Sequence, residues 1–249
     1  MKKVIIITGA SKGIGAACAR LFLKKNYLVA LLGRNKKKLT EVKSSNHNAL
    51  LIQCDITKET EIIQAFQLVL KKWGRLDILF NNAGMSLPEN RIDQINIAEW
   101  KNLIDVNLTG SFICAKEAFR IMSNQNPQGG RIINNGSISA KVPRYGTAAY
   151  TSSKHAITGL TKAIALDGRD LNIACSQIDI GNANTNMVKK INAGLKKNHE
   201  KNYTESTEEP TMDVKYVAKS VLHIAEMPIE ANVQFMTLLA NKMPFIGRG

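Results

Sequence analysis

The run Val4-Ile5-Ile6-Ile7-Thr8-Gly9-Ala10-Ser11-Lys12-Gly13-Ile14-Gly15 decides how the rest of the chain reads. Its consecutive β-favouring apolar residues predict a strand, Val4–Thr8, buried on both faces. The strand passes straight into a turn carrying three glycines. Apolar residues then recur at helical spacing, at Ile14, Cys18, Leu21 and Phe22, and predict a helix over Ile14–Lys25. A strand, a glycine turn and a helix in that order present backbone N–H groups and a helix N-terminus to a pyrophosphate. The candidate residues at the turn are Gly9, Ser11, Lys12, Gly13, Ile14 and Gly15. The spacing is TGxxxGxG and not the GxGxxG of the general dinucleotide fingerprint, so a tight turn without a ligand stays open on this stretch alone. The charged start, Met1-Lys2-Lys3, resembles the opening of a signal peptide, but the apolar run is too short and no cleavage-type segment follows.

Outward from this unit the same alternation continues. Strands are predicted at Leu28–Leu32, Ala49–Gln53, Ile78–Phe80, Arg131–Asn135, Ile173–Ile178 and Val233–Leu238. Between them, Ile62, Ile63, Phe66, Val69 and Leu70 predict a helix over Glu59–Trp73, and Ile157, Leu160 and Ile164 predict one over Thr151–Leu166. Another helix is predicted to begin near Asp213. Alternating strands and helices give an α/β fold: a doubly wound parallel sheet of about seven strands with helices on both faces. At 249 residues the chain is read as one domain. The stretch 184–211, rich in Lys, Asn, Glu and Thr, reads as a mobile insert on the substrate side.

Cofactor choice is legible after the second strand. Sheets that bind NAD place an acidic residue there for the ribose 2′-OH, whereas this chain has Leu32-Gly33-Arg34-Asn35. Arg34 suits a 2′-phosphate through charge-assisted hydrogen bonds, with Lys12 close to the same group, which points to NADP(H). Farther on, Tyr150-Thr151-Ser152-Ser153-Lys154 sets a phenol and an ammonium one helical turn apart. A cation beside a phenol draws its pKa down from near 10 towards a range useful for proton transfer. Ser137, at the end of a predicted strand, can hydrogen-bond the same substrate oxygen. A Tyr and Lys at this spacing are, alone, an ordinary surface helix pair. By contrast, Tyr145 has only Ala149 one turn on.

Together these motifs resemble the short-chain dehydrogenase/reductase family, over nearly the whole chain and in family order. The resemblance rests on Thr8-Gly9 to Gly15, Asp55, Asn81-Asn82-Ala83-Gly84, Asn107, Ser137 and Tyr150 with Lys154. It implies a Rossmann fold and an NADP(H)-dependent oxidoreductase acting on a small-molecule carbonyl or secondary alcohol. It also implies Tyr150 as acid/base, and Lys154 lowering its pKa and holding the nicotinamide ribose. Ser137 would orient the carbonyl, and Asn107 would support a water-linked proton relay with Lys154. By the same resemblance Asp55 and Ile56 flank an adenine, and Asn82, Ala83 and Gly84 line the cofactor cleft. Thr185 keeps the position of a nicotinamide contact, and the assembly is a homodimer or homotetramer.

The likeness weakens after the sixth strand. The family's Asn-Pro-Gly is here Asp179-Ile180-Gly181, and the C-terminal Leu238-Leu239-Ala240-Asn241-Lys242 replaces an Asp-Gly-Gly-like turn. The 3-oxoacyl-carrier-protein reductases keep the proline–glycine turn, so that activity is an alternative, as is a non-catalytic NADP(H) sensor. The substrate side is expected from Val142, Pro143, Arg144 and Tyr145, with Arg144 either reading an anion or solvated. Composition excludes other classes. The net charge of +14 comes from lysines spread over the whole chain, at Lys36–Lys38, Lys71-Lys72, Lys189-Lys190 and Lys196-Lys197, and only 6% of residues are aromatic. That pattern lacks a base-stacking platform and argues against nucleic acid. No apolar run approaches the roughly 20 residues of a membrane span. Cys18, Cys54, Cys114 and Cys175 are far apart, with no metal-type spacing, which predicts a reducing, cytoplasmic setting with no disulfides and no metal.

Overall fold

The computed structural model describes residues 2–185 and 210–246. Seven strands form one all-parallel sheet: β1 Val4–Ile7, β2 Leu28–Gly33, β3 Ala49–Gln53, β4 Ile78–Asn81, β5 Gly130–Asn135, β6 Ile173–Ile180 and β7 Phe235–Leu238. Among the described residues the helices are α1 Gly13–Lys24, α2 Lys36–Lys43, α3 Glu59–Trp73, α4 Ile97–Ile104, α5 Gly110–Asn124, α6 Ala148–Asp167 and α7 Val214–Glu226. In the sheet the strands lie in the order β3-β2-β1-β4-β5-β6-β7. The chain therefore winds outward from β1 to β3, crosses back to β4, and winds out the other way. The point of reversal lies between β1 and β4, and the loops after these two strands open the crevice where such sheets take ligands.

Why the opening strand is apolar throughout is visible in the packing. Ile5 and Ile7 join a core with Phe22 of α1 and Val217 and Val221 of α7. Val4 and Ile6 face the opposite core, with Phe66 and Val69 of α3 and Cys114 and Ala118 of α5. Successive side chains point to opposite faces, and helices cover both. All four cysteines are buried and unpaired. Among the described residues no helix is long and apolar enough to cross a membrane.

The predicted elements differ from the structure mainly at their ends. Ala49–Gln53 and Glu59–Trp73 hold at both ends, while β6 runs on to Ile180 and β7 begins only at Phe235. The expected insert at 184–211 lies mostly outside the described residues. At its base Asn184 N donates to Met212 O and Met212 N to Asn182 O, at 2.8 and 2.9 Å. These bonds tie Asn182 and Asn184 to Met212 beside α7, which Asp213 caps by accepting from Lys215 N.

Candidate functional site

The glycine turn is braced from β4. Thr8 Oγ1 accepts from both Asn82 N and Ala83 N at 2.9 Å, and Asn82 Nδ2 donates back to Thr8 O at 2.9 Å. Asn82 Oδ1 in turn accepts from Asn135 Nδ2 at 3.1 Å. The approach is close enough to require glycine. Gly9 has φ +64, and a Cβ there would lie 2.9 Å from Ala83 Cα; a Cβ on Gly15 would lie 2.5 Å from both Asn82 Nδ2 and Gly9 O. Gly15→Ala is therefore expected to cost about 1–3 kcal/mol by overpacking, measured by denaturant unfolding; unchanged stability would mean that the turn yields without strain.

The brace leaves the N-terminus of α1 exposed to a ligand. Its N-cap, Lys12, makes no side-chain cap bond, and its first turn holds no acidic residue. Asn35, Asn96 and Asp213, by contrast, cap α2, α4 and α7 with their side chains. Free N–H groups at a helix start favour an anion. Thr185 stands over this end, its Cγ2 3.4 Å from where a Gly13 Cβ would be. Ser11 lies against Gly33, at the end of β2. Arg34 follows it with its side chain 76% exposed, and its Nη1 is 3.9 Å from Asp55 Oδ2. Asp55 Oδ1 accepts from Thr57 N and Oγ1. The Ile56 side chain is buried in the core against Gly110.

On the other side of the crevice, α6 carries Tyr150 and Lys154 over the end of β5. Ser137 lies two residues beyond that strand, not on it; its hydroxyl accepts from Ser139 N at 3.1 Å and is close enough to the phenol to favour its ionised form. Lys154 is buried; its Nζ donates to Asn135 O at 2.7 Å and lies 5.6 Å from the Tyr150 ring centroid. Burial pushes the ammonium down to about 8, and Asp179 opposes that shift. The phenol differs from the expectation. Burial raises its pKa, and the groups that pull it down are Ser137 and Arg144. Lys154 Nζ gives one N–H to the Asn135 carbonyl and keeps its charge beside the phenol ring.

Asn107 sits in a π-turn, Asp105–Thr109, between α4 and α5, a device common at functional sites. Its amide is committed. Oδ1 accepts from Met85 N at 2.8 Å, and Nδ2 donates to Met85 O at 2.9 Å and Ser153 Oγ at 3.2 Å. The side chain thus fixes the loop after Gly84, and it does not reach Lys154 directly. Beside Tyr150 a narrow pocket is lined by Leu87, Pro88, Ile95, Gly146 and Ala149. Next to it opens a cleft of about 440 Å³, walled by Asn90, Arg91, Pro143, Arg144 and Tyr145. Arg144 is half-buried and donates to Asn182 Oδ1 at 3.1 Å.

Sequence reasoning missed Thr8 as a brace, Asn135 as the anchor of Lys154, and Leu87, Pro88 and Ile95 as pocket walls. The one signal for Asn135 was a pair of asparagines, Asn134-Asn135, closing an apolar strand.

The family model for short chain dehydrogenase matches residues 3–196. A 3beta-hydroxysteroid dehydrogenase of Mediterraneibacter gnavus is 31% identical over 199 residues, 78% of this chain and 71% of its own. Secoisolariciresinol dehydrogenase of Forsythia intermedia is 32% identical over 230 residues, 90% of this chain and 82% of its own. Among solved structures, ElxO with NADP bound superposes with a TM-score of 0.83 at 30% identity, covering 95% of this chain and 97% of that one.

Proposed function

The chain belongs to the short-chain dehydrogenase family, and we propose that it is an NADP(H)-dependent oxidoreductase acting on a carbonyl or secondary alcohol, with Tyr150 as general acid and base. The observation that carries this reading is the convergence of Ser137, Tyr150 and Lys154 beside a narrow pocket, across the sheet's reversal point from an uncapped helix N-terminus.

The residues present fit the cofactor. The start of α1 offers N–H donors for a pyrophosphate, Lys12 and Arg34 offer cations for a 2′-phosphate, and Lys154 offers an ammonium for a ribose hydroxyl. NADPH supplies the hydride when bound. The protein's own part is proton management. At neutral pH the raised phenol of Tyr150 keeps its proton and can give it to a carbonyl oxygen. Ser137 can donate to the same oxygen and hold it in line. Lys154 carries a positive charge close to the phenol, where the tyrosinate forms, and stabilises it after the proton leaves.

The sign of the pH dependence follows. Lys154 is an ammonium below about 8 and loses its charge above it. Reduction is therefore expected to fall as pH rises through about 8, read from a pH–kcat profile. A profile that keeps its full rate to about pH 10, the range of an unperturbed lysine, would remove Lys154 from the step. The function itself is tested by a panel of ketones and secondary alcohols, followed by NADPH absorbance with NADH in parallel. Turnover of one substrate class with NADPH supports the reading; NADPH binding with no turnover across the panel would favour the sensor. A 3-oxoacyl-carrier-protein reductase activity is the less favoured alternative, since Ile180 stands where those enzymes keep proline.

A further inference from the structure

The site contains a buried carboxylate that the reaction scheme above does not use. Asp179 stands on β6, fully buried, where the family resemblance places asparagine. Its Oδ1 accepts from Ser137 N at 3.3 Å and from Gln177 Nε2 at 2.7 Å. Its Oδ2 has no hydrogen-bond donor among the described residues, and its contact there is an ion pair with Lys141 Nζ at 3.5 Å. Gly136 makes the space: a Cβ on it would collide with Asp179 Oδ1.

The geometry around Gly136 is specific. Lys154 donates to the carbonyl of Asn135, on one side of Gly136, and Asp179 accepts from the N–H of Ser137, on the other. An ammonium and a carboxylate thus grip consecutive peptide groups, one of which carries the serine of the site. We propose that Asp179 is a positioning residue: it fixes the peptide of Ser137 and, through its charge across Gly136, keeps the proton on Lys154. For its bearing on turnover this rests on the function proposed above. The rest of the carboxylate's surroundings supports a designed placement. Gln177 Nε2 also donates to Thr158 Oγ1 at 3.0 Å, and Gln177 Oε1 accepts from Thr161 Oγ1 at 3.0 Å, so the group that orients Asp179 is itself held by α6. Charged and titratable groups face this centre from three elements. Lys141 comes from the segment after β5, Lys154 and Tyr150 come from α6, and Arg144 acts on the phenol from the loop before α6; β7 contributes the uncharged Thr237. A buried charge pair interacts strongly because little water screens it. The opposition of Asp179 to the downward shift of Lys154 agrees in sign.

The test reads the proton on Lys154 without turnover. The protein is labelled with carbon-13 at the lysine ε position, and the Lys154 resonance is identified by its loss in Lys154→Arg. Asp179→Asn keeps the shape and an acceptor for Ser137 N but removes the charge. The Lys154 midpoint is expected to move from about 8 to lower pH by roughly one unit, a tenfold change in proton affinity. Lys141→Gln, at a half-exposed side chain, removes a competing cation, so the midpoint is expected to move to higher pH. Unchanged midpoints in either folded variant would overturn the proposal, and Lys141→Gln decides it if Asp179→Asn does not fold. If the enzyme reading holds, the alkaline limb of the pH–kcat profile moves with each midpoint. Failure to turn over any carbonyl would sink that reading while leaving the midpoints to judge this one.

Discussion

Tyr150→Phe is expected to lower kcat on the order of 10²- to 10⁴-fold, the range that a positioned proton donor contributes, while NADPH affinity stays nearly unchanged. The change removes one oxygen from a half-buried ring and no charge. The features that would hold the cofactor are independent of that oxygen. The glycine turn is braced by Thr8 and Asn82, and Lys154 is anchored on Asn135 O. Steady-state rates and a fluorescence titration with NADPH separate the two effects. Retention of more than about a tenth of wild-type kcat would show that another group donates the proton, because the lower bound for such a donor is larger than that. Loss of NADPH binding would show that the phenol is part of the cofactor site's structure.

Arg34→Asp is expected to reverse cofactor preference. Hydrogen bonds to a charged group contribute about 1.5–3 kcal/mol each, so losing the guanidinium should weaken NADPH by roughly 10- to 100-fold. A carboxylate at the end of β2 gains a partner in the 2′-OH of NADH. Arg34 can turn towards a phosphate, since its ion pair with Asp55 is 3.9 Å long and solvent-exposed on the arginine side. The ratio of kcat/KM for the two cofactors measures the change. An unchanged ratio would place the phosphate selectivity elsewhere, with Lys12 the next residue to replace.

The fold was legible because its signals are local and periodic. Val4–Ile7 reads as a doubly buried strand on its own, and Ile62, Phe66 and Val69 mark the inner face of α3 without reference to any other element. β7 was read too long because Val233 and Gln234 continue the apolar alternation but precede the strand, whose pairing with β6 begins at Phe235. The motif residues of the site were legible for the same reason: each sits at a short spacing beside an element end. What was not legible are bonds between asparagines and their distant partners. Asn81 Nδ2 donates to Asn134 Oδ1 at 3.1 Å, Asn134 Nδ2 donates to Thr161 Oγ1 at 2.9 Å, and the chain of polar groups continues through Gln177 to Asp179. These groups come from three strands and a helix, and no spacing rule joins them. In sequence Asp179 reads only as a departure from a motif; its contact with Ser137 is a consequence of β5 and β6 lying side by side.

The same distinction applies to charge. A tyrosine and a lysine four apart predict a lowered phenol, but the balance depends on burial, which pushes Tyr150 up against the pull of Ser137 and Arg144. On the function proposed above, this phenol is the acid of reduction, protonated at neutral pH before the substrate arrives. The most direct test of that account is isotopic. NADPH carrying deuterium at its hydride position is incubated with a turned-over ketone, and the product alcohol is analysed by mass spectrometry. The account predicts deuterium on the carbinol carbon of the alcohol that the wild-type protein forms, and almost no deuterated alcohol from Tyr150→Phe in the same time. Product alcohol without deuterium, or equal amounts of deuterated alcohol from the two proteins in the same time, would contradict it.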